Sequence, residues 1–221
     1  MNDGHARVGT AAFDDLAQRY DSWYDSLLGS RVFALELACL APLLATTAHP
    51  RLEVGVGSGR FARALDLEFG VDLAAAPLEL AAARGIRVVR ADARRLPFAS
   101  GSFGAVVAVM TVCFVDDPSA LLGEVRRVLS HGATLVLGTI RADSPWGVAY
   151  QEMGRAGHAF YRHAHFFSLA ETTELLTSAG FEVLASRSTL VGPPGADLEG
   201  DYAHEGNDPS ASFVALSAVV N

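Results

Sequence analysis

RLEVGVGSGRFARAL, Arg51 to Leu65, is the stretch on which the fold turns. Leu52, Val54 and Val56 alternate with Glu53 and then give way to Gly55, Gly57 and Gly59, followed by the helix formers Phe61 to Leu65. This order predicts a strand, a tight turn and the N-terminus of a helix. Glycine allows positive φ and close approach of a ligand to the backbone, and the free N–H groups of a helix start attract an anionic group. The glycine spacing narrows the ligand. A dinucleotide fingerprint needs G-x-G-x-x-G, but here Arg60 stands at the third-glycine position. A phosphate-binding loop ending in Gly-Lys-Ser/Thr is also excluded, because all 17 basic residues are arginine.

Working outward, the same alternation recurs. After the turn, strands are predicted at Glu68–Val71, Ile86–Arg90, Gly104–Met110 and Thr134–Ile140. Helices are predicted at Gly59–Ala64, Pro77–Ala83, closed by Gly85, and from Asp117-Pro118 to about Leu129. Gly104–Met110 is a near-continuous apolar run, as suits a central parallel strand. Upstream, Phe13–Tyr24 and Val32–Leu44 have helical spacing. Downstream, Arg141–Phe167 is only weakly periodic, and Ser168 to Glu171 has the capping-box spacing of a helix start. Phe181–Leu190 and Ser212–Val220, joined without a helix, should be antiparallel. The fold class is α/β, a doubly wound sheet of seven strands whose last strand is antiparallel, preceded by N-terminal helices.

Composition excludes more than it identifies. The 221 residues carry a formal charge of −8 and scattered arginines, which disfavours duplex nucleic acid as partner. Glu36 and Pro42 interrupt the apolar run Val32–Ala45, so no membrane span is expected. The N-terminus MNDGHARVG lacks an apolar signal region, and a cytoplasmic location is expected. Two cysteines, Cys39 and Cys113, make neither a disulfide framework nor a zinc site. His163 and His165 have no further ligand at metal spacing.

E-x-G-x-G-S-G at residues 53–59, the aromatic string YDSWYD at 20–25 and RADARRLPFASGSFG at 90–104 together resemble the class I S-adenosylmethionine (SAM) dependent methyltransferases, in particular the small-molecule methyltransferase type 11 family. The third segment matches the family's D-A-x-x-L-P-F-x-x-x-x-F-D loop except at Gly104, where the family usually has Asp. The span from Glu53 to Asp72 is also shorter than usual by about a helical turn. The resemblance covers roughly residues 13–220. It implies a three-layer Rossmann-like domain over 1–221, with a helical cap at 13–46, a SAM-binding core at 51–140, a substrate-side insertion at 141–167 and a closing helix and hairpin at 168–221.

The family's functional residues map as follows. Glu53, Gly55, Val56, Gly57, Ser58 and Gly59 are implied around the methionine part of SAM. Asp72 is implied at the ribose hydroxyls, followed by Leu73, and a carboxylate suits that role as an acceptor of two donors. Asp92 and the Ala93 N–H are implied at adenine. Met110 and Thr111 would line the cofactor, under Tyr20 and Tyr24. Cys113 and Phe114 would face the methyl group, and Trp146, Tyr161 and His165 would line the acceptor pocket. Thr111–Asp116 stands where methyltransferases of amide or base nitrogens carry Asn/Asp-Pro-Pro-aromatic, so a small-molecule acceptor is implied, without nucleic acid or membrane. The product is S-adenosylhomocysteine. Tyr24, His163 and His165 are candidate bases, none of them marked out. A SAM-binding protein without catalysis and an NAD-dependent oxidoreductase are the alternatives.

Overall fold

The computed structural model describes residues 11–220; of residues 1–12, expected to be frayed, the first ten lie outside the described residues, and Ala11 and Ala12 are helical instead. Residues 11–15 are helical, and after a break at Leu16 the chain continues as α1 (Ala17–Trp23) and α2 (Leu27–Leu44). The expected single helix over Phe13–Tyr24 is thus broken. α2 begins five residues before the expected start because Ser26 caps it, its hydroxyl accepting the Gly29 N–H. By length and composition α2 could cross a membrane, contrary to expectation. Its buried stripe of Val32, Leu35, Cys39, Leu40 and Leu44 packs on strands of the sheet.

The remaining elements are β1 (Arg51–Val54), α3 (Arg60–Ala64), β2 (Phe69–Asp72), α4 (Ala75–Ala83), β3 (Arg87–Arg90), β4 (Phe103–Val109), α5 (Pro118–Val128), β5 (Leu129–Ile140), α6 (Pro145–Arg155), α7 (Leu169–Ser178), β6 (Phe181–Thr189), β7 (His204–Glu205) and β8 (Phe213–Val220). They build one sheet in the order β3-β2-β1-β4-β5-β8-β6-β7. The first five strands pair in parallel, and β8 runs antiparallel between β5 and β6. The expected seven strands are present. The eighth is the two-residue β7 inside the long loop after β6, pairing antiparallel with it.

β4 shows why the sheet must be covered on both sides. Ala105, Val107 and Val109 join the apolar cluster under α2, α3, α4 and α6, while Val106 and Ala108 join the cluster under α5 and α7. All seven β4 residues are buried. Gly104 departs from the resemblance for a packing reason, since a side chain there would run into the Ala48 backbone carbonyl.

The chain winds outward from β1 through β2 to β3, then returns to place β4 on the other side of β1. The carboxyl ends of β1 and β4 therefore form the switch point, where open α/β sheets bind ligands. Thr111 closes the gap, its hydroxyl donating to the Val54 carbonyl at 2.9 Å.

Within Arg141–Phe167 the structure holds a helix that periodicity did not reveal. α6 is capped by Ser144, whose hydroxyl accepts the Gly147 N–H, and opens on Pro145. That Ser-Pro start is a readable signal. Gly147 and Gly154 blur the periodicity. Each packs so near backbone carbonyls, those of Arg141 and Tyr161, that a Cβ would collide.

Candidate functional site

The turn after β1 uses three left-handed glycines, Gly55 (φ 74°), Gly57 (φ 50°) and Gly59 (φ 79°). Gly55 packs so closely on Thr111 that any side chain would overlap it, and Gly59 sits at the N-terminus of α3 against Ala81. Gly57 faces open space. Pairing of Val54 with Val71 brings the end of β2 beside this turn. Asp72 then accepts the Gly57 N–H through Oδ2 and the Ala74 N–H through Oδ1, both at 2.9 Å. Burial raises the Asp72 carboxyl above its usual range despite these donors. The shortened span from Glu53 is absorbed by the five-residue α3 and a left-handed return at Asp66. Glu68, the other acid near this strand, lies at the opposite end of β2 and accepts the Arg51 N–H at 2.8 Å.

A cavity of about 600 Å³ opens here. Gly55, Gly57, Ser58, Asp72 and Leu73 form one wall, and Asp92 and Ala93 form its far end. Met110 and Thr111 close it from β4, with Met110 held at φ 51°, the kind of strained backbone that clusters at ligand sites. Asp92 is not free: Arg94 grips both its oxygens, with contacts from 2.7 to 3.1 Å, and holds the carboxyl below its usual range.

A small recess behind the glycine turn is lined by Glu53, Val56, Tyr24 and Arg60. Glu53 is 1% exposed, and its Oε2 has no hydrogen-bond partner among the described residues. Burial pushes its carboxyl well up, only partly opposed by the Ala62 backbone N–H.

An aromatic shell covers the opposite side. Tyr20, Phe13 and Phe114 line the cavity, with ring centroids 5.9 Å (Phe13 to Tyr20) and 5.2 Å (Phe13 to Phe114) apart. Phe160 packs behind them, 5.0 Å from Phe13. Of the residues expected at the acceptor, Phe114 is on the cavity wall and four are not. Trp146, at the start of α6, is buried in the core with its Nε1–H donated to the Gly192 carbonyl at 2.7 Å. Cys113 points inward, its thiol bonded to the Met110 carbonyl, and burial pushes that thiol up to about 12. Tyr161 is sandwiched between Tyr150 and His158, at 4.3 and 4.8 Å. The exposed His165 turns its ring edge to Phe167, while its backbone N–H donates to the Cys113 carbonyl at 2.7 Å. His163 does reach the wall.

The position of Trp146 gives a prediction about stability rather than substrate. Trp146→Phe should cost about 1–2 kcal/mol, from lost packing and the stranded Gly192 carbonyl, and should leave SAM affinity unchanged. A urea melt and a SAM titration on the same variant check this.

Sequence reasoning missed the ion network that fastens α1 to the glycine turn. Asp21 accepts from Arg60 Nε at 2.8 Å and from Arg84 Nη2 at 2.8 Å, while Arg60 Nη2 also reaches Asp25 at 2.8 Å. Arg84 in turn donates to the Ser58 carbonyl at 2.7 Å. Both acids belong to the YDSWYD string, where the aromatic residues had drawn the functional reading. Among the described residues no cluster of three or more His, Cys, Asp or Glu could hold a metal ion.

Comparison with known proteins places this geometry. A family model described as a methyltransferase domain matches residues 52–137. An uncharacterized protein of Mycobacterium tuberculosis is 45% identical over 204 residues, 92% of this chain and 72% of that one. A demethylmenaquinone methyltransferase of Roseiflexus is 29% identical over 170 residues, 71% of this chain and 66% of that one. The crystal structure of a Thermotoga maritima SAM-dependent methyltransferase, described as a possible histamine N-methyltransferase, superposes with a TM-score of 0.87 at 31% identity, covering 96% of this chain and 99% of that one. A likeness in sequence and fold that spans a whole methyltransferase, glycine turn included, leaves one conclusion: this chain belongs to the SAM-dependent methyltransferases, and SAM is its cofactor.

Proposed function

We propose that the protein methylates a small organic acceptor held beside SAM in the cavity at the switch point. The observation that carries this reading is the Asp72 carboxylate, bonded to the glycine turn through Gly57 and facing the same cavity as Asp92. The residues suit SAM along its length. Asp72 retains lone pairs for ribose hydroxyls, and the Ala93 backbone with Asp92 stands where adenine would be read. The unpartnered Oε2 of Glu53 and the open face of Gly57 suit the cationic amino-acid end. SAM when bound supplies an electrophilic methyl on a sulfonium leaving group.

The chain's own contribution is then orientation and exclusion of water. Correct placement of two reactants can account for about 7–11 kcal/mol of a barrier. Phe13, Tyr20 and Phe114 provide dry walls for that purpose. A cavity with aromatic side chains on its wall and a chain charge of −8 suit a small molecule better than a nucleic acid. The T. maritima structure and the Roseiflexus enzyme carry names that point to small acceptors, histamine and demethylmenaquinone respectively. The proposed division of labour assigns cofactor binding to residues 51–140 and its cover to residues 13–46.

Incubation of the protein with SAM and a library of amines, phenols and quinols, read by S-adenosylhomocysteine release, tests this function. An acceptor-dependent release is expected. SAM binding without turnover across the library would favour a non-catalytic role.

A further inference from the structure

The segment after β3 is held by the backbone and by α5. The Asp92 carbonyl accepts the Arg95 N–H at 2.9 Å, closing a turn over Asp92 to Arg95. The Leu96 N–H donates to Glu124 of α5 at 2.7 Å, and Arg127 of α5 donates to the Phe98 and Leu96 carbonyls at 2.7 and 3.0 Å. Arg94 therefore stands on an anchored backbone, and both Arg94 and Asp92 line the cavity.

Arg94 fills most of the Asp92 carboxylate. Oδ1 accepts the Arg94 backbone N–H at 2.9 Å and Nε at 3.0 Å. Oδ2 accepts Nη2 at 2.7 Å and the longer arm of the shared Nε at 3.1 Å. A carboxylate has about four lone-pair sites. Two are taken on Oδ1, and the close Nη2 contact leaves one on Oδ2. Asp92 thus has a single acceptor to offer, in a fixed direction. With the two side chains 30% and 33% exposed, the pair adds little to stability. Its consequence is geometric. A carboxylate free to turn can accept from a donor at either of two neighbouring positions on the edge of a base. One clamped along both oxygens accepts at one.

We propose that Arg94 is a positioning residue that sets specificity: by clamping Asp92 it confines that carboxylate to an exocyclic amino group, so that the cavity selects adenine over hypoxanthine nucleosides. The amino group of adenine donates to the remaining lone pair. The carbonyl of hypoxanthine turns its own lone pairs on the carboxylate, and the donor of that base lies on the neighbouring ring nitrogen, off the fixed direction. The proposal rests on the reading that Asp92 meets the adenine of SAM.

Titration calorimetry of the whole chain with S-adenosylhomocysteine and with its deaminated analogue, S-inosylhomocysteine, tests this. The unaltered chain should bind the adenine compound about tenfold or more tighter, because a site built to receive a donor rejects an analogue that lacks it. Arg94→Leu should bring the two dissociation constants within about threefold of each other, and Arg94→Lys, whose ammonium lacks the planar fork, should fall between. The ratio is the readout, since a general loosening of the segment weakens both compounds alike. Equal binding of the two compounds by the unaltered chain overturns the proposal. So does an undiminished ratio in Arg94→Leu, or in Arg94→Lys should Arg94→Leu not fold. Asp92→Ala separates the proposal from the reading beneath it. A ratio retained in Asp92→Ala, or no binding of either compound to the unaltered chain, brings down both. A ratio lost in Asp92→Ala but kept in the Arg94 variants brings down the proposal alone.

Discussion

Asp72→Ala is expected to erase the thermal stabilisation that SAM gives the unaltered chain. At a hundred times its dissociation constant a ligand stabilises the folded state by about 2.7 kcal/mol, which for a chain of this size is about 5–11 °C in Tm. The Asp72 carboxylate holds the Gly57 and Ala74 N–H groups, each at 2.9 Å. Its removal withdraws the acceptor proposed for the ribose and releases the turn that shapes the cavity. Hydrogen bonds to charged groups contribute about 1.5–3 kcal/mol each, so affinity should fall about a hundredfold or more. At the same SAM concentration the stabilisation then drops to about 0.4 kcal/mol, close to the resolution of a melt. Asp72→Asn should fall between, since an amide keeps one acceptor oxygen but opposes a backbone N–H with its NH₂. Equal SAM affinity in Asp72→Ala and the unaltered chain would remove Asp72 from the site.

The second large effect concerns the fastening of α1. Asp21 is buried, and it is shared between Arg60 and Arg84. Asp21→Ala leaves two partly buried guanidinium groups without their carboxylate. Breaking such a pair costs about 3–5 kcal/mol when fully buried. With the arginines still partly wet, about 3 kcal/mol is expected, or roughly 6–12 °C in Tm. Asp25→Ala should cost far less, because Asp25 is exposed and its contact with Arg60 is screened.

The same network sets an acid limb. Burial raises the Asp21 carboxyl, but the bonds from Arg60 and its neighbours outweigh this and lower it from 3.8 to about 2. A depressed folded value means that the unfolded chain binds the proton more readily. The contribution, about 2 kcal/mol, is therefore complete above about pH 4 and is lost as pH falls through about 2. Urea melts between these values should show Asp21→Ala losing less stability than the unaltered chain. Parallel acid limbs in the two proteins would contradict the assignment. Because α1 carries Tyr20 onto the cavity wall, the variant should also bind SAM more weakly.

The sheet and the glycine-turn wall of the cavity were legible in the sequence, for a local reason. Left-handed glycines at 55, 57 and 59, the apolar runs of β1 and β4 and the Ser168 capping box each express their conformation within a few residues. Alternation of strand and helix then leaves few topologies, and these carry Asp72 and Asp92 to the carboxyl edge of the sheet without further information. Even the shortened span before Asp72 could be read as a short first helix, which α3 is.

Side-chain direction and distant partnership were not legible. The Ser-Pro start of α6 was visible, but whether Trp146 faced a ligand or the core depended on Gly192, 46 residues away. Asp21 meets Arg60 across 39 residues and Arg84 across 63, and no periodicity announces a charge pair of that separation. Glu36 read as a break in an apolar run, a reason to doubt a membrane helix. Only tertiary packing turned it into a buried acid whose carboxyl burial pushes up. Local backbone preference determined the elements and their order along the chain. Burial and long-range contact, which arise only when those elements pack, decided which side chains line the cavity.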